Sequence, residues 1–274
     1  MHRRRFIQAL ALPLLRPWPD ALPALDRRLE SVGLQLYTVS DLMRADVART
    51  LERVAEVGYG EVEFAGYFGQ APRRIRELLH DIGLKSPSTH LSLRELGPDL
   101  QRTLDVAEAI GHRYLVVPSL DAEDRRTLDD YLRVAAALNR AGEAAKARGF
   151  RVAYQNHDFE LKPIEGVVPY DLLLRETDPA LVFFEMDFYW MASGRAEPLT
   201  YFQRHPGRFH LCHLKDMERG GGMADVGAGQ LDFPGLLRHR ERAGLRHFYV
   251  EHDNPHDPVA SITASLRYLR ELQL

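Results

Sequence analysis

From Val32 onward the chain alternates between short apolar runs of strand length and longer stretches with helical spacing. That alternation leaves few folds open. Strand patterns fall at 33–39, 61–65, 86–91, 114–118, 151–156, 181–187, 208–214 and 248–251. Helical patterns lie between them at 45–57, 73–82, 100–110, 131–148, 169–176, 198–205 and 233–243, and a last one at 258–272 follows the final strand. Glycines stand where helices should stop before the next strand, at Gly58 and Gly60, Gly83, Gly111, Gly149 and Gly244. That is the expected chemistry of a helix C-terminus. Eight strand–helix units in about 240 residues match an α/β fold of one domain, a (β/α)8 TIM barrel over 31–274. A doubly wound open sheet often carries a Gly-rich turn after its first strand. Here Leu34-Gln35-Leu36-Tyr37-Thr38-Val39 runs into Ser40-Asp41 with no such turn.

Four strands in the second half end in polar or charged residues of the metal-binding kind. They are Gln155-Asn156-His157, Glu185-Met186-Asp187, His213-Leu214-Lys215-Asp216 and Glu251-His252-Asp253. Burying a charge is costly unless it is paired or holds a metal, so the repetition points to one shared site. Side chains alternate across a strand. If the strand-end groups point inward, so do Gln35, Tyr37, Glu63, His90, Gln155, His157, Glu185, Asp187, His213, Lys215 and Glu251. The opposite faces then carry Leu34, Leu36, Val62, Phe64, Val152, Tyr154, Val182, Phe184, Leu214, Phe248 and Val250, suited to packing under helices. Barrel enzymes place their sites at this C-terminal mouth. By the same alternation His210 and Cys212 face the helices, and Glu185, one inward position below Asp187, reads as a structural partner for Lys215 or as a group supporting the metal ligands from behind.

A net charge of −3 offers no basic field for a nucleic-acid backbone. A single cysteine, Cys212, excludes an intramolecular disulfide and a Cys-rich zinc site. No apolar run approaches the roughly 18 residues of a membrane span. Residues 1–30 read as an export signal or disordered leader. His2-Arg3-Arg4-Arg5-Phe6-Ile7-Gln8 precedes the apolar stretch 9–15, a twin-arginine-like pattern with a processing point after Ala24. It implies a periplasmic protein; without export the protein is cytoplasmic. Exposed barrel faces leave room for a homodimer, and no sequence feature decides it.

The segments 33–39, 154–160, 186–190, 213–216, 226–232 and 250–253 together resemble the xylose-isomerase-like TIM-barrel superfamily of sugar isomerases and epimerases. That group includes inosose dehydratases, tagatose-type epimerases and relatives of the AP endonucleases. The resemblance implies one divalent metal ion (Mn, Mg, Co or Zn) held by a Glu, an Asp, a His and a Glu from strands five to eight. Three of these carry over, to Asp187, His213 and Glu251. Strand five has no inward Glu, so His157 is the expected fourth ligand, with Gln155 the weaker choice. A further departure is Ala228, where relatives often have an acidic residue.

The resemblance also implies a small-molecule sugar or sugar derivative as partner. Glu251 is then expected to bind metal and act as base, with Glu160 or His157 as its counterpart on the other face. Lys215 and His90 would stabilise oxyanions. His90, Glu63, Tyr37, Trp190 and Gln155 are the expected substrate contacts. A proton taken next to a carbonyl and returned elsewhere gives an isomerase or epimerase working through an enediolate. Expulsion of a leaving group from the same enediolate gives a lyase or dehydratase acting on a keto-sugar, keto-glycoside or inosose, the close alternative. A sugar-binding barrel without turnover is the third.

Overall fold

The computed structural model describes Leu29 and residues 31–274. The expected leader over 1–30, Leu29 apart, and the twin-arginine-like motif lie outside the described residues. Eight parallel strands close into a barrel: β1 (Gly33–Gln35), β2 (Glu61–Ala65), β3 (Lys85–His90), β4 (Tyr114–Val117), β5 (Arg151–Gln155), β6 (Val182–Asp187), β7 (Phe209–Leu214) and β8 (His247–Val250). Each strand pairs with its sequence neighbours, and β1 closes the ring on β8 through Gly33↔Tyr249 and Leu34↔Val250. Helices surround the ring, as the βα alternation requires.

Two apolar layers hold it. The outward strand residues, among them Leu34, Val62, Phe64, Val152, Tyr154, Phe184 and Val250, pack with the helices in one large cluster. Inside the barrel, Tyr114, Val116, Ala153, Leu211 and Tyr249 form a separate plug with Phe183. The polar strand ends stand above this plug, at the mouth. Among the described residues no helix is long and apolar enough to cross a membrane.

Local departures from the sequence reading have identifiable causes. The first strand stops at Gln35, and Leu36–Val39 forms a 3-10 turn. The Gln35 side chain accepts from the Tyr37 amide at 2.9 Å, capping that turn and sending Tyr37 to the rim, where it is 49% exposed. The helical pattern at 45–57 starts at Val47, and a separate short helix, Ser40–Ala45, precedes it, because Asp46 is extended and caps the second helix through the Arg49 amide. His210 does not face the helices. The β6–β7 register passes from Phe184↔Phe209 to Glu185↔Leu211, so His210 is an extra residue on β7. Its ring lies 3.8 Å from that of Phe183 and 3.1 Å from the Tyr114 hydroxyl, against two residues of the barrel plug. Cys212 is buried in the outer layer, as expected.

A short antiparallel ribbon, Asp216–Met217 with Met223–Ala224, follows β7 and brackets the glycine run 220–222. The Asp216 carboxylate accepts from the amides of Met217, Gly227, Gly229 and Leu231. That residue therefore ties down the loop after β7 and does not join the site.

Candidate metal centre

The inward ends of β2, β3, β5, β6, β7 and the residue after β8 converge on His213. Its Nδ1 lies 2.8 Å from Glu251 Oε2 and 3.7 Å from Asp187 Oδ2. Its Nε2 lies 2.9 Å from Glu63 Oε2 and 3.3 Å from Glu185 Oε2. Two buried sets result, an upper one of Asp187, His213 and Glu251 and a deeper one of Glu63, His90, Glu185 and His213. In each, one donor atom per residue lies within 4.8 Å of all the others. Glu185 thus belongs to the deeper set and is no partner of Lys215.

Lys215 is buried among carboxylates. Its ammonium is 2.6 Å from Glu251, 2.6 Å from Asp253 and 3.2 Å from Asp187. Asp253 ends the same polar run as Glu251 in the sequence, but the sequence reading gave it no role in the site. Burial alone would lower the Lys215 pKa, but Asp187, Glu251 and Asp253 outweigh it and hold the amine firmly protonated. Burial would likewise raise the Glu251 carboxyl. The Lys215 and His213 charges reverse that and hold it well below the usual carboxylate range. Burial opposes a charged His90, yet Glu63 and Glu185 raise it to about 9.

Strand five brings Gln155, and not His157, to the centre. The Gln155 amide nitrogen is 3.0 Å from His213 Nδ1 and 3.3 Å from Asp187 Oδ2. His157 lies beyond the strand end with its ring stacked between Phe159 (5.6 Å) and Trp190 (5.0 Å). It joins neither set. Burial lowers its pKa to about 4, and its Nδ1 is buried without a partner. Trp190 covers this histidine and lies 5.4 Å from the Lys215 ammonium. Glu160 is turned away. Its carboxylate accepts from the Tyr154 hydroxyl and, at 2.8 Å, from the His157 amide, wholly buried behind the loop. Tyr154 belongs to the outer face of β5, which explains why a residue just past the strand points outward with it. Burial raises the Glu160 carboxyl to about 7.

A cavity of about 460 Å³ opens above these groups. Tyr37 stands at its rim, His90 and Gln155 lie below, and His157, Lys215, Glu251 and Asp253 line its wall. Glu63 is not at the rim. It is fully buried, accepts from Gln35 Nε2 at 2.8 Å, and is also bonded by the Ser88 hydroxyl. Two carboxylates and an imidazole in the upper set suit a divalent ion of the Mn, Mg, Co or Zn kind, and the donor chemistry does not choose among them. Lys215 supplies the opposing charge in the same place.

A parallel eight-stranded barrel with its ionisable groups gathered at one end defines a barrel of the enzyme type. The chain belongs to the xylose isomerase-like TIM barrel family, which it matches over residues 51–272. An inosose dehydratase of Lacticaseibacillus casei is 26% identical over 144 residues, covering 53% of this chain and 43% of that protein. The chain therefore spans less than half the length of the curated relatives it matches. A sugar phosphate isomerase/epimerase from Parabacteroides distasonis superposes with a TM-score of 0.79 at 25% identity, over 92% of this chain and 98% of the other. A D-allulose 3-epimerase from Methylomonas sp. shares the fold, with a TM-score of 0.69 at 15% identity, over 91% of this chain and 99% of the other.

Proposed function

We propose that this chain is a lyase that removes water from a cyclic keto-sugar or a keto-inositol. The observation that carries the reading is the one-sided supply of carboxylates. Among the described residues lining the cavity, the carboxylates are Glu251 and Asp253, both from the end of β8. Glu160, the expected second acid–base group, is wholly buried on Tyr154. A single base suits elimination, in which one carboxylate can both take and return the proton. Similarity to inosose dehydratases supports the same class of reaction.

Glu251 removes the proton next to the substrate carbonyl, and the electron pair moves onto the carbonyl oxygen. The Lys215 ammonium faces that oxygen and stabilises its charge. As the pair returns, the hydroxyl on the neighbouring carbon departs, takes the proton from Glu251 and leaves as water. Asp253 holds Lys215 from the solvent side at 2.6 Å. His90 and Gln155 meet substrate hydroxyls from below. A divalent ion held by Asp187, His213 and Glu251 would supply Lewis acidity toward the carbonyl.

Epimerisation or isomerisation is the second reading. His157 favours it, since it lines the cavity and its Nδ1 has no partner. The test is incubation with an inosose in deuterated buffer, followed by proton NMR and by the absorbance of the conjugated product. Loss of water, reduced about 10²- to 10⁴-fold in Glu251→Gln, is the expected result. An epimer formed without loss of water would replace this reading with the second. Unchanged turnover in Glu251→Gln would remove both, and binding without turnover would point to a sugar-binding barrel.

A further inference from the structure

The deeper set is more than a support for the upper one. Glu63 Oε2 lies 3.1 Å from His90 Nε2 and 2.9 Å from His213 Nε2. Glu185 Oε2 lies 3.0 Å from His90 Nε2 and 3.3 Å from His213 Nε2. Two nitrogens and two oxygens therefore alternate around one point. A tetrahedral zinc ion, with ligands near 2.0–2.1 Å, needs donors spaced by about 3.3 Å along the tetrahedron edges. The four nitrogen–oxygen spacings reach that length or fall a few tenths of an ångström short of it, and all four donors lie within 4.8 Å of one another.

Hydrogen bonding alone satisfies this arrangement poorly. A ring nitrogen carries at most one proton, yet each Nε2 faces two carboxylate oxygens. Two protons cannot serve four contacts well, whereas one ion serves four donors at once. The charge demand is the same, because two wholly buried carboxylates need two positive charges. Glu185 Oε1 is buried without a hydrogen-bond partner, which is costly in a finished polar network. Gln35 Nε2 donates to the same Glu63 Oε2 at 2.8 Å, and the Ser88 hydroxyl donates to Oε1, so both oxygens of this carboxylate are fixed in place. His90 lines the cavity, so the set is reachable from the mouth.

We propose that Glu63, His90, Glu185 and His213 form a tetrahedral site for a transition-metal ion, zinc or cobalt, beneath the upper set. Binding displaces the protons on the two Nε2 atoms. His213 keeps its Nδ1 proton, which Glu251 accepts at 2.8 Å. Lys215 stays in place among Asp187, Glu251 and Asp253. The site shares His213 with the set that the sequence pattern implies but takes its Nε2, and while Nδ1 keeps its proton an ion in that upper set rests on Asp187 and Glu251.

Co²⁺ tests it, because tetrahedral Co²⁺ absorbs visible light far more strongly than octahedral Co²⁺. The metal-free full chain is titrated with Co²⁺ and then with competing Zn²⁺, beside His90→Asn, Glu185→Gln and Asp187→Asn. Far-UV circular dichroism and melting temperature check that each variant is folded. The expected result is an intense visible band that Zn²⁺ removes. Affinity should fall about 100-fold in His90→Asn and Glu185→Gln and stay within a few-fold in Asp187→Asn. A band that survives in folded His90→Asn and Glu185→Gln, or is lost only in Asp187→Asn, would overturn the proposal. So would the absence of tetrahedral Co²⁺ in the wild-type chain.

Discussion

Lys215 controls the charge of the upper site more than any other residue. Its ammonium contacts three carboxylates, of which Asp187 and Glu251 are buried. Removing one partner of a buried ion pair leaves a charge without compensation. Lys215→Met should therefore destabilise the metal-free chain by about 3–5 kcal/mol, and Mn²⁺ should restore part of the loss by supplying the missing charge. Thermal unfolding with and without the ion checks this; a variant as stable as the wild type would mean that Lys215 does not neutralise the cluster. His112 tests a different residue-scale effect. It is buried, with Nδ1 2.7 Å from the Ser86 carbonyl and its ring stacked on Tyr67. Burial lowers its pKa from 6.5 to about 4. Between those values the unfolded chain takes up a proton that the folded chain refuses. The stabilising contribution is complete above pH 6.5 and is lost as pH falls toward about 4, with a slope of about 1.4 kcal/mol per pH unit. Urea denaturation should show a smaller loss between pH 6.5 and pH 4.5 for His112→Asn than for the wild type, and equal losses would dismiss the effect. At this scale the sequence showed which residues gather. Asp187, His213, Lys215 and Glu251 were legible because charged groups end successive strands. The Glu185 and Asp253 partnerships were not, because partnership across a barrel depends on register and side-chain reach, which alternation alone does not specify.

Between elements, the outcome depends on how closely strand, loop and helix approach. Alternation along β5 and β6 was readable because it needs only the two-residue period of a strand. The extra residue on β7 that turns His210 inward broke that period without any glycine or proline inside the strand to announce it. The turn after β5 was equally silent, and it decides that Glu160 lies behind the barrel and His157 at the wall. Close helix packing is a constraint of the same kind. The helix Leu128–Lys146 carries Gly142 against the start of β6. A β-carbon there would stand 2.9 Å from the Leu181 carbonyl oxygen and 3.0 Å from its Cβ. Alanine would gain about 1 kcal/mol in helix propensity, yet that contact forces the helix off the sheet, an overpacking cost of about 1–3 kcal/mol. Gly142→Ala is expected to be neutral to destabilising by about 2 kcal/mol, read from the midpoint of chemical denaturation. A clear increase in stability would show that the helix can move away without loss.

For the molecule as a whole, closure of the ring is the decisive event, and it rests on a short seam. β1 has three residues and meets β8 through two register pairs. Eight strand patterns in the sequence implied a closed barrel, but not that its first strand would be the shortest. The Gln35 cap that shortens it is a side-chain contact with no periodic signature. Gly33 makes the seam feasible. A β-carbon at this position would lie 2.4 Å and 2.6 Å from two carbons of the Tyr249 ring, and 3.3 Å from Glu61 Cβ. Tyr249 is wholly buried in the inner plug, so its ring has little room to yield. Gly33→Val should therefore press β1 away from both β8 and β2 at once and cost about 2–4 kcal/mol, at the upper end of overpacking penalties. Because the ring is one packed core, the loss should appear as a lower midpoint for the whole molecule. Far-UV circular dichroism and tryptophan fluorescence should shift together in urea, with an unchanged denaturant slope. Separated transitions would mean that the seam opens alone and that the other seven strands hold without closure. That outcome would assign the stability of the fold to its helix–strand layers and not to the ring.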